Sequence, residues 1–261
     1  MQKDLTIAIV VYHDADAAEE AVRSIEEQTA VSVSKEILVI DNGASEEGVS
    51  RESFRTFLSG YGDVRYIPTE KNLGYGAANN LVIPELDSRY HAILNPDVCL
   101  KEDAFSKILA YMETHPDCGM VIPRLTDAEG RLQKAYRREL TVSDLLIRYV
   151  CPRMFKKRQD FHTMQDMDYT APFQVPFAQG SFLVIRTALY QKLHGFDERY
   201  FLYMEDADLC RRVNQVSKLM YFPGAEAVHG WERSSYHDRR LFRIHLHSMV
   251  LYFRKWGWRL W

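Results

Sequence analysis

The sequence predicts an α/β fold: a mostly parallel central sheet flanked by helices, closed by a C-terminal helix. Three observations carry this. One apolar run rich in β-branched residues spans residues 5–12 (LTIAIVVY), a second spans 36–41 (EILVID), and an amphipathic stretch lies between them. Short, nearly continuous apolar strands are what a sheet shows when helices cover both of its faces. Repeated strand, helix and strand implies parallel pairing, with sites beyond the carboxyl ends of the strands.

The elements follow in order. Asp14 or Asp16 caps a first helix whose apolar positions Ala18, Val22 and Ile25 recur at helical spacing. A helix through Phe54, Phe57 and Leu58, a strand at 64–68, a helix after Gly74-Tyr75-Gly76 and a strand at 91–94 continue the alternation. A helix around 104–112 and a strand at 119–122 follow. After Pro123 the rhythm breaks into a turn at 127–130, a strand at 133–138, a short helix at 142–149 and a polar stretch at 152–170, the least ordered in character. An apolar run at 182–185, helices at 187–193 and up to Val216, and a strand at 219–222 restore the pattern before a last helix at about 238–256.

Composition narrows the function. With 261 residues, 46% hydrophobic and 26% charged, the chain is long enough for a full core and too ordinary for a disordered or disulfide-scaffold protein. A net charge of -3 lacks the basic field of a dedicated nucleic-acid binder, so no nucleic-acid partner is expected. Cys99, Cys118, Cys151 and Cys210 form no CxxC pair and no zinc-spaced array, which fits reduced thiols in a cytoplasmic protein. The first apolar run is far shorter than the roughly 20 residues of a membrane span and leads into acidic residues rather than a cleavage site.

Polar residues at strand ends nominate a site. Asp41 ends an apolar strand, where a carboxylate serves either as a cap or as an acceptor for a ribose or base. In Asn95-Pro96-Asp97 the proline stops the ladder and projects Asp97, a geometry suited to a hard divalent cation or to an ordinary turn. Glu205, Asp206 and Asp208 open a helix, as acids commonly do, but the preceding aromatics place a carboxylate beside a dry pocket. Such burial raises a carboxyl toward the range of a general base. His229 and the loop Gly230-Trp231-Glu232-Arg233-Ser234 offer a metal ligand and a grip for a diphosphate. No GxGxxG follows the first strand, which disfavours a Rossmann dehydrogenase.

In order and spacing, the first strand, EILVIDNGA, KNLGYGAANN, ILNPDV, GSFLVIRTALYQKLHGFDERYFLYMEDADLCRRV and VHGWERSS resemble the family-2 inverting glycosyltransferases, and more narrowly their bacterial rhamnosyltransferase-like branch. The resemblance covers about residues 4–256. It implies the Rossmann-like GT-A fold, a nucleotide-diphosphate-sugar donor, most readily dTDP-L-rhamnose with a UDP-hexose as the alternative, and a divalent metal, Mn²⁺ or Mg²⁺. The implied acceptor is a cell-wall or surface glycan, polyprenyl-diphosphate-linked in many relatives. A non-catalytic nucleotide-sugar-binding relative is the competing class.

Carried over by position, Val11, Tyr12, Asp41, Lys71, Asn72, Gly74, Asn95, Asp97, Arg233 and Ser234 match the donor site. Asp97 and His229 match the metal ligands, Gly180 and Ser181 the acceptor-side loop, and Asp206 with Glu205 the catalytic pair, Asp206 as base. Asn95 stands where many members have a first aspartate, which removes one negative charge from the metal motif. The implied organisation is one domain, with a donor half at 1–123, an acceptor and catalytic half at 124–236 and a helical extension at 237–261. Arginines and tryptophans at 239–261 suit contact with the inner face of the plasma membrane, or equally packing on the core or on a second copy as a homodimer. A basic cluster at 153–158 suits the acceptor diphosphate or a solvated loop.

Overall fold

A computed structural model describes residues 2–44, 51–150, 155–230 and 239–260. In chain order the elements are β1 (Lys3–Val11), α1 (Ala15–Gln28), β2 (Lys35–Asp41), α2 (Glu52–Leu58), β3 (Val64–Pro68), α3 (Tyr75–Asn80), β4 (Ser88–Leu94), β5 (Val98–Leu100), α4 (Ala104–Thr114) and β6 (Cys118–Thr126). They continue with β7 (Tyr136–Arg137), α5 (Val142–Val150), α6 (Lys156–His162), β8 (Phe173–Gln174), β9 (Phe177–Ala178), β10 (Phe182–Arg186), α7 (Thr187–Lys192), α8 (Glu205–Val216), β11 (Lys218–His229) and α9 (Arg239–Trp256).

The main sheet has the order β3-β2-β1-β4-β10-β6-β11-β5, with β8 added along β11. β1 is buried from Leu5 to Val11, and β2 from Ile37 to Asp41, so both faces of these strands are covered. Full burial of each Val, Leu or Ile side chain contributes about 1.5–3 kcal/mol, enough for this hydrophobic centre to dictate where β1 lies. Helices supply the cover: α1 buries Ala18, Ala21, Val22 and Ile25, and α4 buries Phe105, Ile108, Leu109 and Met112. Asp103 caps α4 by accepting from the Ser106 N–H.

From β3 to β4 the pairing is parallel throughout. Beyond β4 the sheet is mixed, because β10 enters antiparallel between β4 and β6. β10 follows the Gly180-Ser181 turn, and the Asn95 N–H bonds to the Ser181 carbonyl, so this insertion brings that turn beside the end of β4.

Four sequence expectations change. Asp14 occupies the N-cap position of α1, but its side chain makes no capping bond. The strand expected at 133–138 is only the two-residue β7, paired with β9. Within the polar 152–170 stretch, 155–170 is described and holds α6. The strand expected to stop at Phe222 continues to His229, because the register shift between Phe222 and Glu226 absorbs Pro223 as an irregularity. His229 is thus the last residue of a strand rather than part of a loop. No described helix is long and apolar enough to cross a membrane.

Candidate active site

A cavity of about 780 Å³ opens beyond the carboxyl end of β4, between the first turns of α1 and α8, within the usual size of a small-ligand site. Asn95, Asp97, Gly180, Ser181, Glu205, Asp206 and His229 all line it. Val11, Tyr12, Asp41, Lys71, Asn72 and Gly74 do not; they stand at the ends of β1 and β2 and in the loop before α3. Arg233 and Ser234 lie outside the described residues, as do Arg153 and Trp261.

Asp97 and His229 meet because β5 pairs antiparallel with the end of β11, Val98 opposite His229. The Gly230 N–H bonds to the Asp97 carbonyl at 2.8 Å and fixes this corner. His229 is buried, its Nε2 lies 3.4 Å from Asp97 Oδ2, and its Nδ1 lies 2.8 Å from Gln133 Oε1. A carboxylate oxygen and an imidazole nitrogen at this spacing suit two ligands of one cation bound at about 2.1 Å. Among the described residues no third His, Cys, Asp or Glu joins them, so a cation held by this pair would draw its other ligands from substrate oxygens and water, as a catalytic Mg²⁺-type site commonly does.

Glu205 and Asp206 begin α8 after two successive left-handed residues, Tyr203 at φ 67° and Met204 at φ 70°. Such backbone costs about 1–3 kcal/mol per residue, and it turns the first two side chains of α8 into the crevice. Asp206 accepts from the Gly180 N–H at 3.1 Å and from the Ala207 N–H at 2.7 Å. A Cβ on residue 180 would stand 3.1 Å from the Asp206 Cβ, which explains the glycine. Glu205 is 5% exposed and its Oε2 has no partner among the described residues. Burial, then the Asp206 charge, pushes the Glu205 carboxyl well above its ordinary value; burial raises Asp206 also, opposed by those two N–H groups. Two adjacent buried carboxyls do not both ionise readily, and the two N–H bonds favour the charge on Asp206 and the proton on Glu205.

At the donor-side loops the side chains serve one another. Val11 and Asp41 lie opposite in register, and the Asn42 N–H bonds to the Val11 carbonyl. Asp41 is fully buried; its Oδ2 accepts from the Tyr66 hydroxyl at 2.7 Å and pairs with Arg51 Nε at 2.9 Å, while its Oδ1 has no partner among the described residues. Asn42 accepts from the Leu73 N–H at 2.8 Å and donates to Asn72 Oδ1 at 3.1 Å, and that oxygen also accepts from the Gly74 N–H. Gly74 sits at φ 86°, and a Cβ there would strike the Phe201 carbonyl at 2.3 Å. The loop is therefore locked against the turn that leads into α8. Lys71 and Tyr12 are exposed.

Two residues of the crevice, Tyr75 and Arg137, and one behind it, Gln133, were not singled out from sequence. The Tyr75 hydroxyl lies 2.9 Å from Asn95 Oδ1 and 3.0 Å from the Gly180 carbonyl, joining the β4 end to the Gly180 turn; burial first, and then the Glu205 charge, keeps this phenol protonated. Arg137, buried on β7, lines the cavity and its charge opposes the rise of the Asp206 carboxyl. Gln133 grips His229. The Gly-Tyr-Gly signal marks Tyr75 as the start of a helix, but nothing local marks Gln133 or Arg137.

The family model described as Glycosyl transferase family 2 matches residues 6–193. The chain belongs to glycosyl transferase family 2. This family-2 enzyme is a glycosyltransferase, and it is 29% identical to the N-acetylglucosaminyl-diphospho-decaprenol L-rhamnosyltransferase of Mycobacterium tuberculosis, over 90% of this chain and 78% of that protein. It is 27% identical to the rhamnosyltransferase WbbL of Escherichia coli over 69% of each. The low-salt glycan biosynthesis hexosyltransferase Agl10 of Haloferax volcanii is 26% identical over 82% of the glycosyltransferase and 63% of Agl10. GalNAc-T7 crystallised with UDP, GalNAc and Mn²⁺ shares the fold at a TM-score of 0.69 and 15% identity, over 97% of this chain and 48% of that one. The mannosyltransferase PcManGT from Pyrobaculum calidifontis, with GDP-Man and Mn²⁺, shares it at a TM-score of 0.66 and 16% identity, over 97% and 65%. The fold is GT-A, and the chain spans about half and two thirds of these two structures.

Proposed function

We propose that the enzyme transfers L-rhamnose from dTDP-L-rhamnose, with inversion, to a cell-wall or surface-polysaccharide acceptor carried on polyprenyl diphosphate. The observation that carries the chemistry is Asp206, which accepts from two backbone N–H groups beside the buried Glu205 carboxyl in the 780 Å³ cavity that also receives Asp97 and His229. The donor and acceptor follow from the named activity of the mycobacterial relative.

In this reading Asp206 removes the proton of the acceptor hydroxyl as that oxygen attacks the anomeric carbon from the face opposite the leaving group, hence the inversion. Glu205, being protonated, donates a hydrogen bond without adding charge. Asp41, with one buried oxygen lacking a partner among the described residues, accepts from the nucleoside, and Val11, Tyr12, Lys71, Asn72 and Gly74 shape that end of the donor site. Asp97 and His229 hold Mn²⁺ or Mg²⁺, which when bound neutralises the leaving diphosphate. Asn95 orders the corner through Tyr75, and Gly180 and Ser181 face the acceptor; the Ser181 hydroxyl is buried with no partner among the described residues. Arg233 and Ser234 remain assigned to the diphosphate. Residues 1–123 form the donor half, 124–236 the acceptor half and 237–261 the extension.

The enzyme works in the cytoplasm against the membrane that carries its acceptor. Exposed Phe242, Leu246, Trp258 and Leu260 lie on or after α9 among arginines, and support surface contact. Trp256 is excluded from that role, since its Nε1 donates to Asp208 inside the protein. A homodimer is the competing use of the same face.

The test is transfer to N-acetylglucosaminyl-diphospho-prenol with Mn²⁺ or Mg²⁺. Rhamnosylated product from dTDP-L-rhamnose, abolished by chelator, is expected. Product only from UDP-galactose or UDP-glucose, the choice favoured by the hexosyltransferase relative, overturns the sugar assignment.

A further inference from the structure

We propose that Gln133 is a positioning residue: its side-chain amide sets the tautomer of His229 and so presents the Nε2 lone pair toward Asp97 and the cation between them. This rests on the metal role of His229 given above.

Gln133 is 7% exposed and far from His229 in sequence. Its own N–H bonds to the Leu125 carbonyl of β6 at 2.9 Å, and Leu125 and Thr126 pair with Ala227 and Val228 of β11, so the backbone of Gln133 is anchored to the strand that ends in His229. Its side chain then closes on one residue twice. Nε2 donates to the His229 carbonyl at 2.7 Å, and Oε1 lies 2.8 Å from His229 Nδ1.

Elementary donor and acceptor rules assign the protons on the Gln133 side of the ring. A backbone carbonyl only accepts, so the atom facing it is the amide nitrogen and the amide orientation is determined. The other amide atom is the oxygen, which also only accepts, so Nδ1 carries the hydrogen. In the neutral ring Nε2 then holds a lone pair, and it points at Asp97 Oδ2 from 3.4 Å. Two acceptors facing each other repel unless a positive charge, a metal ion or a second proton on the ring, lies between them. Metal-bound histidines generally donate their second ring N–H to such a partner, and loss of that partner typically weakens metal affinity about 10–100-fold.

The tautomer needs no metal to be seen. Side-chain ¹⁵N NMR of the metal-free wild type should show His229 protonated at Nδ1; a ring that carries its only proton at Nε2 overturns the proposal. Gln133→Met, which matches the volume and lacks both polar atoms, should shift His229 toward the Nε2–H form and weaken Mn²⁺ binding, read by EPR of free Mn²⁺, about 10–100-fold. In a His229→Ala background the same change should cost nothing further. Gln133→Glu keeps an acceptor at Nδ1 and loses the donor to the carbonyl, so it should restore Mn²⁺ affinity to within a few-fold of wild type. If Gln133→Glu fails as badly as Gln133→Met, the residue is only a clamp on β11 and the proposal is wrong. If His229→Ala leaves Mn²⁺ binding unchanged, the metal assignment fails, and the ¹⁵N spectrum still decides what Gln133 does.

Discussion

At the end of β2, Asn42 commits its side-chain oxygen to the Leu73 N–H and its amide to Asn72, while Asn72 in turn holds the Gly74 N–H. Across the crevice the first turn of α8 does the opposite: among the described residues Glu205 leaves an oxygen without a partner, and so does Ser181 on the facing turn. Both regions use short polar side chains at the edge of one sheet. In the first the hydrogen bonds close among themselves and fix a loop. In the second they are left open, at a cost of about 1–3 kcal/mol per buried unsatisfied group, which a bound sugar can offset. Asp41 belongs to both kinds, with one oxygen held by Tyr66 and Arg51 and the other without a partner among the described residues. The contrast separates residues that shape the site from residues that await a ligand.

That separation is open to breaking, most sharply at Asp206. Asp206→Asn keeps the size and an acceptor for the Gly180 N–H but removes the charge, and transfer should fall about 10²–10⁴-fold with donor binding by calorimetry little changed. Turnover near wild type would return Asp206 to the structural class. A milder effect is expected on the closed side. Asn42→Ala leaves the Leu73 N–H and Asn72 without their partner, and should lower unfolding free energy by about 1–3 kcal/mol in denaturant titration while sparing Mn²⁺ affinity. Loss of Mn²⁺ binding instead would mean that the two regions are one unit.

The smallest change is expected from Glu205→Gln, and its sign is opposite. The Glu205 carboxyl is raised in the folded protein and ionises near 4.5 when unfolded, so above that pH folding takes up a proton and stability falls as pH rises toward the folded value. Glutamine has no such proton to bind. The variant should match wild type near pH 4 and gain in Tm over it progressively up to pH 8, measured by thermal unfolding across that range. A Tm difference that does not vary with pH would show that Glu205 is ionised in the folded state.

How much of this was legible depends on whether a signal is local. Asp97 follows a proline-stopped strand, and Asp206 follows an aromatic run at a helix start, so both stand out in a single window. Gln133 reaches His229 across 96 residues, Arg137 lies on a two-residue strand, and β5 is three residues long; none has room for a periodic pattern. The extent of β11 was hidden by Pro223, which ordinarily ends a strand and here sits in a register shift. Asp14 was expected to cap a helix and lines the cavity instead, because a cap position does not dictate where its side chain bonds. Asp208, one of the three acids of α8, turned inward to Arg212, Lys255 and Trp256, anchoring α9 to the helix that carries Asp206.

The amino-acid sequence alone determined the α/β class, the positions of the long elements and the acidic character of the crevice, since apolar periodicity and residue chemistry act over a few neighbours. Only the tertiary structure decided that β10 enters antiparallel beside β4, which of the adjacent carboxyls at the start of α8 receives two N–H bonds, and which side chain faces Nδ1 of His229. Those depend on backbone N–H groups, burial and an amide that come from elsewhere in the chain, and a proton goes where the assembled surroundings hold it most strongly.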